Sequence, residues 1–188
     1  MSLKAGAVSF LICSVCWAGT AVAQPANRAA NDGPVVFSPD YQPNDPFSHA
    51  RKPADDVLDA LLRTPEAREA SSELADLNRE ERRALFEVVS VHVTDSREVD
   101  ELVLGHYPMS GADNDWFWLV RPLHGRAQVI LFASGLTLEI LDSKTSGYKN
   151  IRTSWSAASG VTITCIYHYD GKQYQLVHKY TKTVDLSQ

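Results

Sequence analysis

The chain has 188 residues, with 18 Lys and Arg against 23 Asp and Glu, a formal net charge of −5. That length fills one domain with a hydrophobic core of its own. The acidic balance argues against nucleic acid or an anionic lipid surface as partner, because both are gripped by clustered Lys and Arg.

Residues 1–23 hold one Lys at position 4, an apolar run from about Ala5 to Ala18, and Ala21-Val22-Ala23 before Gln24. This is the pattern of a signal peptide cleaved after Ala23, and it predicts a periplasmic or secreted mature protein. The apolar run is shorter than the ~20 residues of a membrane-spanning helix, and no later segment is apolar enough to serve, so no membrane span is expected. Cys13 and Cys16 fall in this region, but Ile12 and Val15 stand where lipoprotein processing would require a small residue. Beyond residue 23 only Cys165 remains. No internal disulfide is then expected, and Cys165 reads as a small buried hydrophobe rather than a nucleophile.

Residues 24–52 contain Pro25, Pro34, Pro39, Pro43 and Pro46 among Asn, Asp and Ser, and read as an extended arm or linker. The alternative is that Phe37, Tyr41 and Phe47 pack across the domain. A single domain is expected over 53–188. Pro53, then Asp55 and Asp56, then Val57, Leu58, Leu61 and Leu62 on one face predict a helix over 53–63. Pro65 opens a second, with Ala67, Ala70, Leu74 and Leu77 inward. Asn78 with Glu81 forms a capping box for a further turn. Acidic residues concentrate between 53 and 101, so this helical pair presents an acidic outer face, a surface that favours a basic partner.

Near Leu85 the period changes from helical to alternating. Val89, Val91 and Val93, then Leu102 and Leu104, then 116–123, 128–133, 136–141 and 151–155 read as short strands with turns between them. The last stretch alternates through Val161, Ile163, Cys165, Tyr167 and Tyr169, turns at Asp170-Gly171, and resumes at Tyr174, Leu176, His178 and Tyr180. A two-residue turn there would pair Tyr169 with Lys172 and Cys165 with Leu176, gathering Cys165, Leu176 and Tyr180 on one buried face. The fold class is therefore mainly β (α+β): antiparallel sheets over about 84–182, sandwich or propeller-like, with a short N-terminal helical pair. Ser96-Arg97-Glu98-Val99-Asp100-Glu101-Leu102-Val103 and Thr145-Ser146-Gly147-Tyr148-Lys149-Asn150-Ile151-Arg152 share a turn followed by a strand start, a spacing compatible with two propeller blades or with two unrelated junctions.

Chemistry is sparse. Asp113 and Asp115 could offer oxygens to calcium, but their loop lacks further carboxylates and reads better as a polar turn before Trp116. The histidines at 49, 92, 106, 124, 168 and 178 lack zinc spacing, though His92 and His106 could meet across strands. No Gly-x-Ser-x-Gly elbow, phosphate-binding loop or Cys-His arrangement is present, so no cofactor is expected and an enzyme is the less favoured class. The surface-loop candidate is 142–150, polar and mildly basic. Lys144, Ser146, Gly147, Tyr148, Lys149 and Asn150 are its binding residues, with Tyr148 either an interface anchor or an inward cap on the sheet.

Ser146-Gly147-Tyr148-Lys149-Asn150-Ile151 before a strand, and Tyr169-Asp170-Gly171-Lys172-Gln173-Tyr174 in a closing hairpin, resemble a set of small exported bacterial proteins. Some of these are similar to β-propeller-like immunity proteins that protect the periplasm from peptidoglycan-hydrolysing effectors, and periplasmic lysozyme inhibitors carry a related Ser-Gly-x-Tyr loop. The present chain lacks the intervening residue and a disulfide pair. The resemblance implies a non-enzymatic inhibitor or immunity protein whose loop enters a cell-wall hydrolase. The other readings are an envelope scaffold working through the acidic helices or the proline-rich arm, and a hydrolase with dispersed catalytic residues. Oligomeric state is left open.

Overall fold

The computed structural model describes residues 35–38, 46–112, 114–123, 125–157 and 160–183. All belong to the compact unit Gly33–Gln188. Pro65, with the Thr64 side chain accepting from the Ala67 N–H, starts one of four short α-helices among the described residues: α1 (Asp55–Leu61), α2 (Pro65–Glu69), α3 (Ser71–Leu74) and α4 (Arg79–Ala84). The second expected helix is thus divided into α2 and α3 at Ala70. The capping box at α4 is present, with Asn78 accepting from Glu80 and Glu81 while Glu81 returns to the Asn78 N–H.

Among the described residues there are nine strands: β1 (Val35–Phe37), β2 (Phe86–Val91), β3 (Asp100–Gly105), β4 (Asp115–Leu123), β5 (Arg126–Gly135), β6 (Thr137–Thr145), β7 (Tyr148–Ala157), β8 (Val161–Tyr169) and β9 (Tyr174–Thr183). They form two antiparallel sheets, β2-β3-β4-β5 and β1-β6-β7-β8-β9. Val89, Val91, Leu102, Leu104, Phe117 and Leu119 from the first sheet share one core with Leu138, Ile140, Ile151 and Tyr169 from the second. This is sandwich packing. The two similar segments 49 residues apart do occupy equivalent places, each leading into the second strand of a four-strand meander, but the meanders close face to face rather than as blades.

The four-stranded sheet is covered on both sides. Val88, Val103, Trp118 and Val120 point away from the other sheet and pack against Val57, Leu58, Leu61 and Leu74 of the helices. Double coverage explains the continuous apolar run Phe117-Trp118-Leu119-Val120, where a half-exposed strand would alternate. The N-terminal arm contributes too: Phe37 and Phe47 are buried and meet edge to face at 5.8 Å. Tyr41 lies outside the described residues.

The terminal hairpin departs from the expected register. The Asp170 carboxylate accepts the N–H groups of Lys172 and Gln173 at 2.8 and 2.9 Å, which spreads the turn over four residues and pairs Tyr169 with Tyr174. A bulge between Ile166 and Tyr167 shifts the pairing again, so Cys165 meets Lys179 and Thr164 meets Tyr180. Cys165 is buried, whereas Leu176 and Tyr180 are about half exposed. The single buried face expected for those three residues does not form.

Candidate functional site

The stretch 142–150 is not an open loop. Strand β6 continues to Thr145 and β7 starts at Tyr148, leaving Ser146-Gly147 as a two-residue turn with φ of 53° and 80°. Positive φ at both positions is the type I′ geometry whose twist matches antiparallel strands. Gly147 adopts it freely, whereas Ser146 carries a cost of roughly 1 kcal/mol or more for a left-handed non-glycine residue.

What fixes this hairpin is a cluster at its base. Tyr148 stacks on Tyr169 with ring centroids 3.8 Å apart and planes 26° apart. The Arg121 guanidinium lies 4.5 Å from the Tyr148 ring centre and 5.7 Å from that of Tyr169. Arg121 also donates two parallel hydrogen bonds to Asp100, Nε to Oδ1 at 2.7 Å and a terminal nitrogen to Oδ2 at 2.8 Å. Both partners are buried, with side-chain exposures of 7% and 0%. Burial alone would lower the Arg121 pKa; the hydrogen bonds and charge of Asp100 more than reverse this and hold the guanidinium charged.

A third tyrosine completes the cluster. Tyr174 packs edge to face on Tyr169 at 5.4 Å and donates its hydroxyl to the Lys149 carbonyl at 2.8 Å. Burial, followed by the Asp100 charge, raises the Tyr174 pKa well above the usual phenol range, and burial raises Tyr169 as well. Asp100 and Arg121 belong to the four-stranded sheet and the three tyrosines to the five-stranded one, so the cluster ties the two sheets together.

On its other flank the hairpin is clamped by residues 93–95. The Lys149 N–H donates to the Val93 carbonyl at 2.7 Å, Thr94 bridges to Tyr148, and Lys144 pairs with Asp95 at 2.6 Å. The Lys144 hydrogen bond holds the Asp95 carboxyl below its ordinary range. Of the residues named from sequence, Lys144, Ser146 and Gly147 are exposed at the tip. Tyr148 and Lys149 are half-buried, the latter 3.9 Å from Asp142. Asn150 is buried, donating to Ser143 at 3.0 Å.

Asp113 lies outside the described residues, and Asp115 begins β4 opposite Gly135. No group of three or more His, Cys, Asp or Glu side chains able to hold a metal occurs among the described residues. His92 and His106 go to separate partners, the Glu98 carbonyl at 3.1 Å and Glu87 at 3.6 Å. The Asp100–Arg121 pair escaped the sequence reading, although Phe117, Leu119 and Arg121 occur at alternate positions of one strand and so share its buried face.

The chain matches no family model, no curated protein and no solved structure.

Proposed function

We propose that the protein is an exported, non-enzymatic binding protein that inhibits a peptidoglycan hydrolase by inserting the β6–β7 hairpin into its cleft. The supporting observation is a narrow, exposed Ser146-Gly147 tip whose base is locked by the Tyr148–Tyr169 stack. A tip held rigid before binding loses little conformational entropy on insertion, which is how preorganised inhibitors gain affinity.

Electrostatics favour the same partner class. Glycosidase clefts carry a pair of carboxylates, and the hairpin presents the exposed Lys144 beside its tip, with the half-buried Lys149 opposite it, on an otherwise acidic protein. Both lysines already face carboxylates, Asp95 and Asp142. Exposed pairs of this kind are worth only about 0–1 kcal/mol, so exchanging them for cleft carboxylates costs little. Export rests on the signal-peptide pattern, and the hydrolase as target on the resemblance to periplasmic inhibitors.

The test is a cell-wall turbidity assay with muramidases and amidases, adding the purified protein or its Ser146→Asp variant. Asp tolerates the left-handed backbone at an exposed turn, so this change adds a negative charge at the tip without unfolding the hairpin. Inhibition by the wild type that the variant loses supports the reading. Undiminished inhibition by Ser146→Asp removes the tip as the contact, and no inhibition of any hydrolase removes the function.

A further inference from the structure

A recess lies on the helical layer. Leu62, Ala67 and Leu74 form the apolar part of a cavity of about 220 Å³, and Ser71, Arg68 and Arg82 supply its polar rim. Ala67 and Leu74 are themselves core residues, 4% and 6% exposed, so the floor is backed by packed side chains.

The two arginines stand apart from their neighbours. In α4, Arg79 holds Asp55 and Asp59, and Arg83 holds Asp55 and Glu80. Arg82 lies between them and makes no ion pair among the described residues; it donates Nε to the Leu77 carbonyl at 2.9 Å. Arg68 likewise donates one terminal N–H to the Arg63 carbonyl at 3.1 Å. Each guanidinium has five N–H donors, so most remain available. A bond to a carbonyl in the connection between helices accounts for one contact of each arginine. It does not account for their convergence on a common apolar recess in a layer where acidic side chains outnumber basic ones, with none lining that recess.

A planar guanidinium fork matches a carboxylate, and the apolar floor requires that the carboxylate be carried on hydrocarbon. The volume is below the ~300–1,000 Å³ of sites that enclose a drug-sized ligand, and the recess is open to solvent, so it seats one aliphatic group and its carboxylate while the rest of a ligand stays outside. We propose that this recess binds a carboxylate borne on a short aliphatic group, supplied by the C-terminal residue of a peptide or by a short fatty acid. It lies on the helical layer, away from the elements that form the hairpin, so its failure and that of the inhibitor reading are separately measurable.

The experiment is a backbone-amide NMR titration of the full chain with N-acetyl-Ala-Leu, with the C-terminal amide of the same peptide, and with hexanoate. Saturable shifts at Leu62, Ala67, Ser71 and Ala75 are expected from at least one acid and not from the amide, and whichever acid binds more tightly identifies the source. Arg82→Gln or Arg68→Gln should weaken binding about tenfold or more while leaving peak dispersion intact, since each removes a charge-assisted pair. An amide that binds as well as the acid, no saturable response to either acid, or unchanged affinity in both folded variants would overturn the proposal.

Discussion

Arg121 faces Tyr148 across the sandwich, its guanidinium 4.5 Å from the ring centre, while Asp100 occupies the other edge of the same cation. A residue that an isolated reading offers to solvent is thereby part of the joint between two sheets. The exposed tip beyond it inherits a fixed position from a buried charge.

Removing Asp100 tests that joint. Asp100→Ala leaves Arg121 charged, buried and unpaired, and should cost about 3–5 kcal/mol in urea unfolding. Replacing both partners, Asp100→Leu with Arg121→Met, should cost clearly less than the single change, because no uncompensated charge remains. A double variant as unstable as the single would mean that the pair contributes through packing on the tyrosines instead.

Gly105 ends β3 where the chain folds back on itself. A Cβ there would stand 2.0 Å from the Met109 carbonyl oxygen and 2.8 Å from the Trp118 ring. The obstacle is backbone, so it cannot turn aside as a side chain would. Gly105→Ala should destabilise by about 2–3 kcal/mol, in the range of overpacked cores. Tryptophan fluorescence during denaturation would report it, since Trp118 forms the second wall.

The same residues show how far the sequence could be read. Val89, Val91, Leu102 and Leu104 announce strands because their inward positions recur every second residue, and the helices at 53–84 follow from Pro, Asp and Asn at their starts. Residues 117–120 defeat a two-sided reading because both faces of β4 are covered, which only the packing of the helices reveals. The β8–β9 register was hidden for another reason: the Asp170 side chain widens the turn and a bulge then shifts the ladder, and neither device alters the period of the apolar residues. At the candidate site a turn ahead of Ile151 was legible, but 142–150 read as a polar loop; the strands run on to Thr145 and resume at Tyr148, and the inward stacking of Tyr148 depends on Tyr169 and Arg121, which are remote in the chain.

Alkaline pH should loosen the fold through buried phenols. Burial, with the neighbouring Cys165 as the next cause, pushes the Tyr167 pKa from 10.0 up to about 12. The unfolded chain therefore releases this proton first. The associated stability is fully present below about pH 10 and is lost as pH rises towards 12, with Tyr169 and Tyr174 shifted in the same direction. Tyr167→Phe should flatten the fall in unfolding free energy, from urea titrations between pH 9 and 11.5, by about 1–2 kcal/mol. An unchanged pH profile in that variant would assign the alkaline loss to other groups.

Ser146 offers a gain in place of a loss. Its φ of 53° is a conformation that Asn and Gly adopt more readily, and Asn-Gly is the favoured pair for this turn. Ser146→Asn should therefore stabilise the protein by about 0.5 kcal/mol or more, whereas Gly147→Ala, at φ 80°, should destabilise it by about 1 kcal/mol. Thermal melts of the two variants measure both effects. If the tip is the inhibitory element, Ser146→Asn should also preserve or tighten inhibition, because it stiffens the turn without changing its charge. A variant that melts higher yet inhibits less would show that the Ser146 hydroxyl itself makes the contact.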